Sequence, residues 1–156
     1  DVTGALTTPR RAVPDPHTPA GNPAAAIALM RLFFPTHEES YRQKAEATLN
    51  AFAGVAGQYG MFAGTYGIAL VLYLNPPVQV VVTGDGEAGD ALYRAAVAPF
   101  ALNKSVVRLH SGDAVAQNLP PALAETIPML PALAGNQAVA VVCAGFACRP
   151  PWHSPG

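Results

Sequence analysis

The chain carries no Asp, Glu, Lys or Arg between Glu46 and Asp85, and this charge-free stretch restricts the fold more than any other feature. Over all 156 residues, hydrophobic types make up 51% and charged types only 12%, about half the usual charged share. A domain of this size with so few charges has little polar surface with which to face water on all sides. The composition therefore predicts that part of the surface is covered by another chain or by further parts of a larger protein.

A membrane span is one interpretation of the charge-free stretch. Its apolar centre, residues 61–74, contains Gly64 and Gly67, and it is shorter than the roughly 20 apolar residues that a span needs. We therefore expect a buried core helix and no membrane association. The first residues lack a basic region followed by an apolar one, so no signal peptide is predicted.

The charge pattern also bears on partners and compartment. The nine basic residues are scattered, and the net charge is -1. Because no basic stripe with interleaved aromatics exists, nucleic acid is not an expected partner. Two cysteines in a chain of this length do not make a disulfide framework, so we predict a reducing compartment and a cytoplasmic location.

Hydrophobic spacing predicts three helices in the first half, after an irregular, proline-rich segment over residues 1–21. The first helix begins with Asn22 as the N-cap, ends at Pro35 and is apolar nearly all round. Thr36 caps an amphipathic second helix, and an apolar third helix follows over residues 62–74. A buried, an amphipathic and a second buried helix joined by short turns are typical of helical hairpins.

After Pro77 the pattern changes to short Val-rich segments. These predict strands, with helices near 90–100 and 121–126; the predicted strands are 77–83, 105–109 and 138–142. Strands separated by a helix favour parallel pairing through crossovers. We therefore predict a mixed α and β fold, with helical hairpins over residues 1–76 and a small, mainly parallel three-stranded α/β unit over residues 77–156.

The segment from Gly84 to Gly89 matches the pattern G-x-G-x-x-G between a predicted strand and helix, where a dinucleotide fingerprint belongs. However, Asp85, Glu87 and Asp90 crowd the helix N-terminus where a pyrophosphate would bind, and acidic residues favour the helix dipole there by themselves. We interpret the segment as a glycine-rich loop before a charge-capped helix, and we expect no cofactor.

Cys143 and Cys148 lie five residues apart, and with His153 they supply three nominal zinc ligands. A structural zinc site needs four ligands, so no metal is expected. Residues five apart on an extended strand face opposite sides, so a disulfide requires a bend at Gly145. Two interpretations stay open: small buried thiols at a strand end, or a redox pair.

Asp15, His17 and Asn22 cluster in the loop that leads into the first buried helix. In toroidal helical folds such loops line the central cleft, so these three residues are our candidate ligand-binding residues. The alternative is structural, with Asn22 as an N-cap, Asp15 in a turn and His17 in solvent. No G-x-S-x-G motif occurs, no catalytic residue is assigned, and whether the chain is an enzyme stays open.

Four segments, in this order and spacing, carry a family resemblance: residues 18–22, 78–84, 100–107 and 143–150. They resemble the C-terminal part of thioredoxin-domain-containing proteins of the spermatogenesis-associated protein 20 type, and the resemblance extends from about Leu6 to Pro151. It implies a thioredoxin-like domain, absent here, and a large α/α toroid related to six-hairpin glycosidases. Ala20 and Pro23 depart from it, because the family more often has hydroxyl-bearing residues there.

The resemblance implies that this chain holds the last hairpins of the toroid and a small α/β appendage. The intact protein would then bind a sugar-like ligand in the toroid and couple it to the thioredoxin-like module, whereas this part would be non-catalytic alone. Its expected partners are the remainder of the parent protein or sister chains. The alternative is a structural or assembly module that self-associates or binds partner chains.

Overall fold

The structure is a computed structural model, and it describes residues 13–15, 17–75, 77–119, 121–130, 137–145 and 147–155. The predicted irregular segment over residues 1–21 lies mostly outside the described residues. Its described part, up to residue 20, holds no helix or strand. Between the second and third predicted strands, residues 120 and 131–136 lie outside the described residues.

Three helices in the first half confirm the helical prediction: α1 (Gly21–Thr36), α2 (Glu39–Ala56) and α3 (Gly64–Leu74). A 3-10 segment, Gly57–Ala63, joins α2 to α3. Within it, Gly60 has φ 53° and ψ -125°, a conformation that breaks the helical path and favours glycine. Because of this break α3 turns back, and each of the three helices contacts the other two.

The predicted N-cap of α1 is wrong. The helix begins at Gly21 with Ala20 in the N-cap position, and Asn22 lies inside the first turn. Ala20 has no side chain that can cap, but its backbone N–H donates to Asp15 Oδ1 at 2.6 Å. Asp15 therefore fixes the start of α1 from outside the helix.

The three helices enclose an apolar core of their own. Met30 and Phe34 of α1 are both only 2% exposed, and Leu72 of α3 is fully buried. The Tyr66 hydroxyl donates to the Leu49 carbonyl at 3.1 Å and so joins α3 to α2 without leaving a buried polar group unpaired.

The second half forms a four-stranded sheet in the order β2-β1-β3-β4. Its strands are β1 (Val78–Thr83), β2 (Lys104–Leu109), β3 (Val139–Ala144) and β4 (Ala147–Cys148). Helix α4 (Gly86–Val97) connects β1 to the parallel strand β2. It starts before the predicted residue 90, because Asp85 takes the N-cap position and the glycine-rich loop supplies the first turn.

The sheet corrects the prediction of a mainly parallel, three-stranded unit. Only β1 and β2 are parallel; β3 pairs antiparallel with β1, and β4 pairs antiparallel with β3. A buried Val-rich segment is compatible with either strand direction, so its composition cannot reveal which way β3 runs. The mixed α and β class itself is confirmed.

Helices cover both faces of the sheet. On one face, Leu92 of α4 packs with Val80 and Val82 of β1. On the other face, Val81 packs with Leu123 and Ile127, from the short helix α5 (Pro121–Ala124) and the turn after it. Hydrogen bonds also join the hairpins to the sheet: Gln79 Nε2 donates to the Phe34 carbonyl at 2.5 Å.

One helical run among the described residues, Glu39–Leu74, is long and apolar enough by length and composition to qualify as a membrane span. It is not one straight helix, because Gly60 interrupts it. Helix α3 alone has 11 residues, which at about 1.5 Å per residue covers roughly half of a hydrocarbon core of about 30 Å. Only 22% of the apolar window of this run is buried, so most of the window is not covered by the described residues, and the expected buried core helix is only partly buried.

Candidate functional site

Polar side chains meet at the carboxyl ends of β1 and β2, which lie at one edge of the sheet because the two strands are parallel. Asp85 Oδ1 lies 2.8 Å from His110 Nδ1, and Asp85 Oδ2 accepts the backbone N–H of Ser111 at 3.3 Å. The hydrogen bond from His110, followed by those from Ser111, lowers the pKa of Asp85. This carboxylate is therefore ionised throughout the neutral range.

This Asp-His-Ser group is not a catalytic triad. In a triad the imidazole lies between the carboxylate and the nucleophile. Here His110 Nδ1 and the Ser111 backbone N–H both bond to the Asp85 carboxylate, and among the described residues no hydrogen bond joins the His110 ring to the Ser111 hydroxyl. The side chains of His110 and Asp85 are 72% and 54% exposed, so solvent screens their interaction. The hydrogen bonds of this group connect the turn after β1 to the turn after β2.

Two glycines of the G-x-G-x-x-G match, Gly84 and Gly89, have a packing reason, whereas Gly86 has a positive φ of 68° and no neighbour within 4 Å. Gly84 has φ 108°, and a Cβ there would lie 2.5 Å from Ala138 Cα. A Cβ on Gly89 would lie 2.5 Å from the Gly84 carbonyl oxygen and from Arg108 Nη1. Close helix–strand packing therefore explains these two glycines without a ligand, and Asp85 and Glu87 oppose an anion at the start of α4.

The structure places Asp15 against α3. Its carboxylate accepts the backbone N–H of Ala20 at 2.6 Å and that of Thr65, the second residue of α3, at 2.7 Å. The backbone hydrogen bond from Thr65, then that from Ala20, lowers the pKa of Asp15. Both carboxylate oxygens are thus engaged by the protein, as in an N-cap.

The other two candidate ligand residues lie nearby in sequence, but the structure gives them different surroundings. His17 is exposed before α1, and Asn22 is half-buried in the first turn of that helix. Asp15 connects the starts of α1 and α3, because its carboxylate accepts one backbone N–H from each region. The sequence pattern suggested a turn residue for Asp15 but carried no signal that its partner, Thr65, lies 50 positions away.

Replacing Asp15 with alanine should lower the melting temperature by roughly 2–6 °C, because the start of α3 loses its cap. The pKa of Asp15 is lower in the folded state than in the unfolded state. The carboxylate therefore stabilises the fold fully above its ordinary pKa of about 4, and this stabilisation is lost as the pH falls below that value. Thermal unfolding followed by circular dichroism between pH 7 and pH 3 measures both effects. Asp15→Asn is the control, since it removes the titration but keeps one acceptor oxygen; an equal pH dependence in that variant would contradict the assignment.

A cleft of about 390 Å³ lies at the opposite end of α1 from Asp15, between the ends of α1 and α3 and the start of α2. Phe33 and Tyr73 supply aromatic faces, and the Arg42 guanidinium lies 5.4 Å from the centre of the Tyr73 ring. The His37 ring lies 5.9 Å from that of Phe33. Desolvation, with Glu46 nearby, raises the pKa of Tyr73, so its phenol is neutral at physiological pH.

This cleft combines apolar ring faces with charged and amide groups, and such a combination suits a small polar ligand with one apolar side. None of Asp15, His17 and Asn22 lines it. The cleft could not be predicted from the sequence, because Phe33 and Tyr73 occupy helical core positions and only the packing of α1 against α3 brings them together.

Cys143 and Cys148 form a disulfide, so the interpretation as two unbonded thiols is wrong. The cysteines face each other across the β3–β4 ladder. Gly145, with φ 59°, lies in the turn between them and supplies the predicted bend. Within the described part of the chain, no three His, Cys, Asp or Glu side chains are grouped so as to hold a metal ion.

Comparisons of the chain with protein-family models, with curated proteins and with solved structures find no match.

Proposed function

We propose that the chain is a non-catalytic assembly module, the C-terminal part of a larger toroidal protein, whose helices pack against further helical hairpins of the parent protein. The observation that supports this proposal most directly is the apolar face of α3 that nothing in the described structure covers. The remaining expectation from the family resemblance, a thioredoxin-like module elsewhere in the parent, belongs to the same proposal, as does the cytoplasmic location that the small number of cysteines predicted.

Helix α3 is apolar on two opposite faces. One face carries Tyr66, Ala69 and Leu72, which are buried against α1 and α2. The other face is exposed: Ile68 is 39% accessible, Val71 is 42% accessible and Leu74 is 67% accessible. A helix that is apolar all round is typically buried on several sides, so the second face indicates a missing neighbour.

The segment that precedes α3 extends the exposed apolar surface. Met61 is 87% exposed and Phe62 is 52% exposed, although both are large hydrophobic side chains. We call the exposed side chains of this region the α3 surface; it comprises Tyr59, Met61, Phe62, Ile68, Val71 and Leu74. No Asp, Glu, Lys or Arg interrupts residues 47–74, and exposed apolar surface of this kind marks an interaction site.

Hairpins in a toroid bury such faces against the preceding and following hairpins. A toroidal parent would therefore account for both the α3 surface and the low charge content. Sister copies of this chain would cover the same surface equally well in chemical terms. The two occupants differ in mass, so denaturing intact-mass spectrometry of the protein from its natural source distinguishes them: a heavier polypeptide indicates the parent, and a single species of 16.1 kDa indicates sister chains.

The isolated chain should associate through the α3 surface, and Val71→Lys should abolish that association. The physical reason is that burying the charged ammonium group of a lysine in an apolar contact costs free energy. Sedimentation velocity measures the shift to the monomer, and circular dichroism checks that the fold is kept. Val115→Lys is the matched control, because Val115 is 43% exposed and Val71 is 42% exposed, but only Val71 lies on the α3 surface. A monomeric wild type at about 100 μM, or equal effects of the two variants, would refute association of sister chains through the α3 surface and leave the parent hairpins as its occupant.

A second candidate function is the binding of a sugar-like ligand, and the observation that favours it is the cleft beside Tyr73. Sugars commonly place an apolar ring face on an aromatic side chain while charged and amide groups accept and donate hydrogen bonds. Isothermal titration with a panel of neutral and acidic monosaccharides tests it. Tyr73→Ala should abolish the heat of binding, whereas Tyr59→Ala, which removes an exposed tyrosine outside the cleft, should not.

A further inference from the structure

We propose that the Cys143–Cys148 disulfide is a reducible lock on the C-terminal strap, residues 147–155, and that Cys148 is the sulfur that an incoming thiolate attacks. Reduction by a dithiol would release the strap from the outer edge of β3. This inference is independent of the assembly proposal, because the strap and the α3 surface belong to different parts of the fold.

The strap runs back along β3 and covers its outer edge. After the two-residue strand β4, the backbone N–H of Arg149 donates to the Val142 carbonyl at 2.8 Å. Ala140 and Trp152 then exchange two backbone hydrogen bonds, each 2.8 Å long. Without the strap, β3 would present these unpaired backbone groups as an open, Val-rich edge.

The strap also forms one wall of an apolar groove of about 490 Å³ beside α4. The opposite side of the groove is Leu92 of α4, its floor includes Val80 and Val142 of the sheet, and Trp152 of the strap closes it. Release of the strap would therefore expose both a strand edge and an apolar surface. Each of these is a feature that proteins normally cover.

The disulfide is better suited to holding the strap than to stabilising the whole fold. It joins residues only five positions apart. The entropy that a disulfide removes from the unfolded chain grows with the length of the loop that it closes, so a loop this short contributes little globally. Locally, it fixes the point at which the strap begins, directly opposite Cys143 in the ladder.

The two sulfurs differ in access. Cys143 is only 4% exposed and packs with Val81 and Val141, whereas Cys148 is exposed. An attacking thiolate needs a free approach to the sulfur, and only Cys148 offers one. The thiolate would bond Cys148 Sγ as the bond to Cys143 breaks, and Cys143 Sγ would leave with the electron pair and take up a proton. The second thiolate of the dithiol would then displace Cys148, leaving two cysteine thiols and an oxidised reductant.

Hydrogen exchange measured by mass spectrometry on the oxidised and the reduced, alkylated protein tests the lock. Segments 139–144 and 147–155 should exchange at least roughly tenfold faster after reduction, because the bonds between Ala140 and Trp152 open. Segment 39–56, helix α2, is the internal control and should not change. Cys143→Ser/Cys148→Ser should behave like the reduced protein without alkylation. Equal exchange of the strap in both redox states would overturn the proposal.

A matched pair of single variants tests the direction of attack. Cys143→Ser leaves Cys148 free, and Cys148→Ser leaves Cys143 free. We expect the folded Cys143→Ser variant to react with a soluble aromatic disulfide at least roughly tenfold faster than the Cys148→Ser variant. In the wild type, excess dithiothreitol, a dithiol, should open the disulfide without denaturant. Equal labelling rates, faster labelling of Cys143, or a disulfide that resists the dithiol in the folded protein would each overturn the assignment.

Discussion

Replacing Gly84 with alanine is expected to lower the free energy of unfolding by about 3 kcal/mol, a large part of the stability of a domain of this size. Two effects add. Gly84 has φ 108°, a backbone conformation that L side chains rarely adopt. In addition, a Cβ would lie 2.5 Å from Ala138 Cα and 2.8 Å from Ala138 Cβ, so the segment that leads into β3 would have to move.

Urea denaturation followed by circular dichroism measures the loss, and Gly86→Ala is the matched control. Gly86 also has a positive φ, 68°, but a Cβ there would meet nothing within 4 Å. We expect the control to lose about 1 kcal/mol, the conformational cost alone. Equal losses in the two variants would show that the contact with Ala138 does not contribute.

The glycine-rich loop shows how far local sequence reasoning reaches. The strand lies where it was predicted, but helix α4 begins at Gly86, inside the G-x-G-x-x-G match, and not near residue 90. For two of the glycines the reason lies in segments distant along the chain, Ala138 for Gly84 and Arg108 for Gly89, whereas Gly86 meets no neighbour and only supplies a positive φ. Periodicity reports which residues are buried, but it does not report which neighbour buries them.

The sheet was predictable in its strands but not in its pairing. The segments that became β1, β2 and β3 are Val-rich and short, and the sequence marks them clearly. The antiparallel direction of β3 and the two-residue strand β4 depend on the path of the chain between β2 and β3, which no periodic pattern encodes. The bend at Gly145 was predictable, and the choice between thiols and a disulfide was not, since spacing alone permits both.

The candidate site residues divide in the same way. Asp15 was recognisable as a polar turn residue, but its contact with Thr65 depends on how α3 turns back at Gly60. The pair formed by Asp85 and His110 follows from parallel pairing of β1 and β2, because Asp85 lies two residues after β1 and His110 directly after β2. Aligning the carboxyl ends of the two Val-rich segments in parallel is therefore enough to bring this pair together.

Helix α3 provides the second large prediction. Leu72→Ala should lower the free energy of unfolding by about 3 kcal/mol, since Leu72 is fully buried in the core of the hairpins and its removal leaves a cavity. Leu74→Ala makes the same chemical change two residues later, where the side chain is 67% exposed. In the monomer this control should cost less than about 1 kcal/mol.

When association is measured instead of stability, the replacement of Leu74 should have the larger direct effect and that of Leu72 the smaller. Leu74 belongs to the α3 surface, so Leu74→Ala should weaken association of the folded chain, which sedimentation velocity reports as a higher dissociation constant. For Leu72→Ala, any loss of association should follow the folded fraction, because its side chain faces α1 and α2. If Leu74→Ala left association unchanged while Leu72→Ala still unfolded the chain, the core would be assigned correctly, but the uncovered face of α3 would not be the interface.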